Sequence, residues 1–182
     1  MNKLRGTRSY LCGAMDRALD GGAGWRLRIR EDLKDLGIHW LDPTRKPIDI
    51  GLEDDASRVR RKANKQSGNF AAVYAEMKAI RHVDLRMVDN CDFLIVNLDM
   101  EIHACGTLEE LFLANGQKKP VLIHVEQGKA AAPDWLFGTF PHEYLFSTWP
   151  ELVDYVRGVD AGRIVDKNNR WLFFDWTGDN HV

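Results

Sequence analysis

The sequence predicts an α/β protein with a parallel sheet of about five strands and helices on both of its faces. Short β-type runs alternate with helical patterns along the chain, which is the order that a parallel sheet requires. Two runs, 92–99 and 118–126, are largely apolar, as in strands that are covered on both faces. The length of 182 residues suits a single domain, 1–182, with a sizeable core.

The first part of the chain contains two strand patterns, one helix pattern and one polar stretch. Residues 8–15 form a short β-type run, and residues 24–37 carry apolar residues at helical spacing. Residues 38–43 form a second short strand. Residues 44–69 are polar and lack a sustained apolar period, so they are predicted to be an insertion or a long loop.

The middle of the chain contains a long helix pattern at 70–92, which is followed directly by the strand at 92–99. Thr107 and Glu110 then have the spacing of a capping box, which predicts that Thr107 caps the next helix. Leu108, Leu111, Phe112 and Asn115 are predicted to mark the packed side of that helix, and Glu110 is not among them.

The end of the chain continues the alternation. After the strand at 118–126, residues 143–148 are predicted to form a last strand and residues 149–158 a helix. Residues 162–176 are predicted to form two short strands around the polar turn at 167–169.

The composition excludes several classes of function. A net charge of −2 gives no global field for nucleic acid or an acidic membrane surface. The basic run at 58–65 follows three acidic residues, which favours a solvated face. No apolar run is long enough for a bilayer and the start lacks a signal peptide, so a cytoplasmic protein is expected.

No cofactor or metal is expected. No Gly-x-Gly-x-x-Gly pattern follows the first strand, and no Walker-type lysine follows a glycine-rich loop. His103 and Cys105 lie close together, but no second pair has zinc spacing.

Three residues are candidates for chemistry, and each has a structural alternative. Asp84 lies on the apolar stripe of the helix at 70–92, where a carboxylate costs free energy unless it is paired or used. Its alternative is a helix end that frays and leaves it solvated. Tyr10 precedes the first turn and is either a site residue or a core aromatic. Glu110 either closes a helix end or reacts.

Three motifs occur in the order and spacing of a known family. Tyr10 and Gly13 form a Tyr-x-x-Gly pattern, and Asp84 and Leu85 precede a strand that starts with Asp92. A helix start of the form Gly-x-x-x-Glu-Leu-x-x-Ala then follows at 106–114. Over roughly residues 8–150 the chain resembles the nucleoside 2-deoxyribosyltransferase family and its relatives, the deoxynucleotide N-glycosidases.

The resemblance implies a flavodoxin-like fold and a carboxylate nucleophile. Glu110 would attack the anomeric carbon of a deoxyribosyl group, and a second base or water would take the sugar with net retention. Asp84 would contact the departing base and help deliver its proton, and Tyr10 would hold Glu110 in position. The substrate is a small nucleoside or nucleotide, and a homo-oligomer is implied. The implied substrate-binding residues are Gly13, Met15, Asp16, His103, Gly106 and Thr107.

The chain also departs from the family's pattern. The transferases carry a second aspartate six residues before the nucleophile, where this chain has Ala104 beside His103. Their Asn-Asp pair for the sugar hydroxyl is not found between residues 135 and 142. The nucleotide-cleaving relatives hold a phosphate with Ser and Arg after the first glycine, where Asp16 would repel it. This favours a nucleoside over a nucleotide.

Three functions therefore remain open from the sequence. The first is transfer of a 2-deoxyribosyl group between nucleobases through a glycosyl-glutamate intermediate. The second is an N-glycosidase that gives the sugar of a deoxynucleoside or deoxynucleotide to water. The third is a non-catalytic nucleotide-binding module on the same fold, for which Ala104 is the main support.

Overall fold

The computed structural model describes residues 2–15, 18, 20–46, 51 and 53–171. Five parallel strands form its sheet: β1 (Arg8–Gly13), β2 (His39–Leu41), β3 (Phe93–Leu98), β4 (Val121–Val125) and β5 (Leu145–Phe146). Their order across the sheet is β2-β1-β3-β4-β5, which is the order of flavodoxin-like folds. The predicted parallel sheet is confirmed.

Six α-helices lie in the described ranges: α1 (Ala23–Asp32), α2 (Asp55–Gln66), α3 (Phe70–Asn90), α4 (Cys105–Gly116), α5 (Asp134–Thr139) and α6 (Trp149–Asp160). Apolar side chains of α3, α4 and α5 pack on one face of the sheet, and those of α1 and α6 pack on the other. The prediction of helices on both faces is therefore confirmed. None of these helices is long and apolar enough to cross a membrane.

Strand β1 divides its side chains between the two cores because successive residues of a strand point to opposite faces. Tyr10 and Cys12 belong to the core under α3 and α4, whereas Leu11 belongs to the core under α1 and α6. In the register of the sheet, Gly13 pairs with Asn97 at the carboxyl end of β3. Tyr10 and Cys12 therefore face α4 close to the carboxyl edge of the sheet, where parallel sheets bind their ligands.

The prediction of a long loop over 44–69 is wrong for residues 55–66, which form α2. The carboxylate of Asp54 accepts the Ser57 N–H at 2.7 Å and caps the helix. Helix α2 packs against α3 mainly through charge, because Arg60 and Arg61 both bond Glu76 at 3.0 Å. Because α2 is joined to α3 by ion pairs, its sequence has no apolar period that would predict a helix. Residues 47–50 and 52 of this stretch lie outside the described residues.

The two strands predicted at 162–176 are not formed in the described part, which ends at residue 171. The Asp166 carboxylate accepts the backbone N–H of Asn168 at 3.2 Å and of Trp171 at 2.7 Å. The backbone here therefore bonds to a side chain within a turn and not to a neighbouring strand. The Trp171 side chain packs in the core under α1 and α6. The short helix α5 was not predicted.

Candidate active site

A cleft of about 710 Å³ opens at the carboxyl end of β1, between α3 and α4. It brings together Tyr10, Asp84 and Glu110, the three residues proposed for chemistry. They are distant in the sequence, since Tyr10 and Glu110 are 100 positions apart. The predicted site residues that line it are Tyr10, Gly13, Met15, Asp84, His103, Gly106, Thr107 and Glu110. Asp16 lies outside the described residues.

Glu110 is held through both of its carboxylate oxygens. The Tyr10 hydroxyl donates to Oε1 at 3.0 Å, and the Cys12 thiol lies 2.9 Å from Oε2. The side chain is almost fully buried, and this burial raises the pKa of Glu110 to about 7. The nearby Asp84 charge contributes to this rise, whereas the two donors and Arg26 oppose it. Near neutral pH the carboxyl group is therefore divided between its neutral and ionised forms.

Tyr10 is suited to remain a donor to this carboxylate. Its side chain is buried, and burial together with the charge of Glu110 raises the pKa of Tyr10 well above its ordinary value. The phenol therefore keeps its proton over the physiological range and donates it to Glu110. The predicted hydrogen bond between these two residues is present in the structure.

The predicted capping box at Thr107 is wrong. Helix α4 begins at Cys105, its N-cap is Ala104, and no side chain caps it. Thr107 is therefore inside the first turn, and the Glu110 carboxylate bonds to β1 instead of reaching back to a cap. A complete capping box lies elsewhere, at the start of α6, where Thr148 and Glu151 bond each other's backbone N–H groups.

The predicted packed side of α4 is also wrong in part. The buried residues are Thr107, Glu110, Leu111 and Ala114, whereas Leu108 and Phe112 are partly exposed. The helix carries apolar residues on most of its circumference, so its periodicity does not define one face. The buried face includes the short residues Thr107 and Ala114 together with Glu110.

Asp84 is buried, as its position on the apolar stripe predicts, and it has a partner. The ammonium of Lys46 lies 2.8 Å from Oδ1 of Asp84 and 3.6 Å from Glu53. The Lys46 side chain is fully buried, so the pair is shielded from solvent. Burial raises the pKa of Asp84, and the Lys46 ammonium opposes this rise. Lys46 comes from the polar stretch after β2, where no periodicity marked it.

Arg26 forms a buried brace at the end of β1, and sequence reasoning missed it. Its guanidinium donates to the backbone carbonyls of Leu11 at 3.2 Å, Gly13 at 2.9 Å and Gly22 at 2.6 Å. Gly13 is tightly enclosed at this point, because an added Cβ would lie 3.0 Å from the Asn97 carbonyl oxygen. The brace and the close packing fix the strand end that carries Tyr10 and Cys12.

The rim of the cleft carries the residues in which the chain departs from the family pattern. His103 is exposed and lines the cleft, and Ala104 beside it is partly buried. Glu109 also lines the cleft, but it is paired with Arg81, whose Nε donates to its carboxylate at 2.9 Å. This bond lowers the pKa of Glu109, so the carboxylate is ionised and is already bonded to Arg81. Glu109 is therefore less suited than Glu110 to act as the catalytic carboxylate.

The chemistry available here is that of two carboxyl groups in different surroundings. Glu110 faces the cleft with two protein donors, which suits an oriented nucleophile. Asp84 is paired with a buried cation and also faces the cleft, which suits contact with a leaving group.

Comparisons with known proteins identify the family of the chain. A search of curated protein sequences gives no significant match. The structure of a 2-deoxyribosyltransferase from Bacillus psychrosaccharolyticus superposes with a TM-score of 0.57 at 13% identity, over 81% of this chain and 91% of that one. A 2-desoxiribosyltransferase from Leishmania mexicana gives 0.44 at 20% identity, over 65% of this chain and 64% of that one, which is too low to support an argument. The family model for nucleoside 2-deoxyribosyltransferase matches residues 10–170. The chain therefore belongs to the nucleoside 2-deoxyribosyltransferase family.

Proposed function

We propose that the protein transfers a 2-deoxyribosyl group between nucleobases by a retaining double displacement. The observation that carries this proposal is the placement of Glu110, which is buried at a cleft and held by Tyr10 and Cys12. A glutamate that only closed a helix end would bond the backbone of its own helix, and this one does not.

In the first displacement, a carboxylate oxygen of Glu110 forms a bond to the anomeric carbon as the bond to the base nitrogen breaks. The electron pair of the broken bond goes to the base, which takes a proton from the Asp84 carboxyl group. In the second displacement, another base gives its proton to Asp84 and its nitrogen attacks the anomeric carbon from the vacated side. The bond between that carbon and Glu110 breaks, and its electron pair restores the Glu110 carboxylate. Two inversions give net retention of configuration.

The expected substrate is a deoxynucleoside. A cleft of about 710 Å³ has room for a nucleoside and part of an acceptor. Asp84 and His103 lie on its wall, where each has hydrogen-bonding groups for a base edge. The family membership supports glycosyl transfer, and the finer steps rest on the geometry described above.

Incubation of the protein with a deoxynucleoside, with and without an acceptor base, tests this function. Chromatography should reveal a new nucleoside only when the acceptor is present. Free deoxyribose in place of a new nucleoside would identify an N-glycosidase. Unchanged substrate, together with ligand-induced thermal stabilisation, would identify the non-catalytic binding module.

The loop at His103 is expected to set the base preference. Ala104 stands where the transferases have a base-contacting aspartate, and the imidazole of His103 can replace one hydrogen bond but no fixed negative charge. The change His103→Ala should alter the ratio of purine to pyrimidine rates, and Ala104→Asp should shift that ratio toward the family norm. Rates with four deoxynucleosides measure it. A ratio unchanged in both variants would mean that this loop does not read the base.

A further inference from the structure

One buried side chain at the site has no role in the mechanism above. Cys12 is fully buried, does not line the cleft, and its sulfur lies 2.9 Å from Oε2 of Glu110. Its other polar neighbour is the Thr107 carbonyl oxygen, 3.7 Å away on the same helix. The thiol thus reaches the carboxylate from the core and not from the cleft.

We propose that Cys12 is a positioning residue that donates its S–H to Oε2 of Glu110 and stabilises the ionised nucleophile. This inference rests on the proposed function for its catalytic meaning. The hydrogen bond itself is a property of the free protein.

Strand geometry explains why this position can act on Glu110. Cys12 follows Tyr10 by two residues on β1, so both side chains point to the same face and reach one carboxylate from two directions. Tyr10 lines the cleft and bonds Oε1, whereas Cys12 bonds Oε2 from the core. Two donors on two oxygens fix both the position and the plane of the carboxylate.

The arrangement also assigns the two oxygens. Oε1 lies with Tyr10 on the cleft side and forms the bond to the anomeric carbon. Oε2 becomes the carbonyl oxygen of the glycosyl ester, and the Cys12 S–H continues to donate to it. Burial and the charge of Glu110 raise the pKa of the Cys12 thiol well above its ordinary value, which keeps the proton on sulfur.

The titratable groups around Glu110 come from three elements other than α4. Tyr10 and Cys12 lie on β1, Asp84 on α3 and Arg26 on α1, and Glu110 itself is on α4. Removal of the Cys12 donor leaves the burial, the Asp84 charge, the Tyr10 bond and the Arg26 charge in place. A change in the titration of Glu110 after that substitution therefore reports the thiol alone.

The test compares Cys12→Ala, which removes the donor, with Cys12→Ser, which restores one. The protein is labelled with [δ-¹³C]glutamate, the Glu110 resonance is assigned by its loss in Glu110→Gln, and its midpoint is followed over pH. In Cys12→Ala the midpoint should rise by roughly 0.5 to 1 pH unit above the parent, because a charged carboxylate has lost a donor. In Cys12→Ser it should stay at or below the parent value.

The matched control is Cys91→Ala, which removes a second buried thiol from the same core. The Cys91 sulfur bonds the Val88 carbonyl oxygen at 3.1 Å and makes no bond to Glu110. The Glu110 midpoint in Cys91→Ala should equal that of the parent. An unchanged midpoint in Cys12→Ala, or an equal shift in Cys91→Ala, would overturn the inference.

The pH profile of turnover gives a second readout. Because Glu110 must be ionised to attack, kcat/KM should rise with pH through the Glu110 midpoint. In Cys12→Ala this rise should occur at higher pH than in the parent. A parent protein that turns over no deoxynucleoside would refute the proposed function. The carboxyl titration would still decide whether Cys12 holds Glu110, so the two failures are distinguishable.

Discussion

Glu110→Gln should lower kcat by roughly 10⁴-fold or more while the protein remains folded, which is the scale expected for loss of a nucleophile. The glutamine keeps the shape of the side chain, and its amide oxygen still accepts a hydrogen bond from Tyr10 or Cys12. It cannot form the glycosyl ester. Steady-state rates with a deoxynucleoside and an acceptor base measure the loss, and circular dichroism and Tm measure the fold.

Glu109→Gln is the matched control, since it neutralises the neighbouring carboxylate on the same helix. Glu109 is exposed and paired with Arg81, so its loss should change rate and Tm little, with kcat within about twofold of the parent. Near-normal turnover in Glu110→Gln with an earlier Tm would identify Glu110 as a structural residue. The proposed mechanism would then be wrong.

The sequence predicts best those residues whose place within a helix or strand already indicates which side of the element is buried. Asp84 was expected to be buried because it falls on the apolar stripe of one long helix, and α3 does bury it. Tyr10 precedes the turn that ends its strand, which left open a site residue or a core aromatic, and the structure shows it buried with its hydroxyl bonded to Glu110. Alternation of elements predicted the parallel sheet, whereas the meeting of Tyr10, Asp84 and Glu110 at one cleft was implied by the family resemblance.

The residues that were missed act through contacts between distant segments. Lys46 follows a three-residue strand in a polar stretch, and only the fold shows that it is buried against Asp84. Arg26 has the ordinary spacing of a helix residue, and its role depends on carbonyls across the end of β1. Cys12 could have been found, because it shares a strand face with Tyr10. The homo-oligomer and the cytoplasmic location stay predictions.

The pairing of Asp84 with Lys46 bears on how the leaving base obtains its proton. An ammonium 2.8 Å away stabilises the ionised carboxylate, whereas burial favours the neutral acid. The two effects act in opposite directions on the Asp84 proton, which the proposed mechanism requires Asp84 to give to one base and to take back from another.

Asp84→Asn should therefore lower kcat by about 10²- to 10³-fold, with KM changed much less, because the amide keeps the shape but supplies no proton. It also leaves the buried Lys46 without its nearest carboxylate, so Tm should fall as well. The double variant Asp84→Asn/Lys46→Met removes that uncompensated charge and separates the two effects. Tm should recover, while kcat should remain low.

The dependence on the leaving base decides whether the lost group is an acid. Rates are compared for an ordinary deoxynucleoside and for one whose base departs readily without protonation. In Asp84→Asn the ordinary substrate should lose far more rate than the activated one, because only the first depends on proton delivery at the moment of bond cleavage. An equal loss for both would assign Asp84 to binding or support of the cleft. Full recovery of kcat in the double variant would show that its role is to neutralise Lys46.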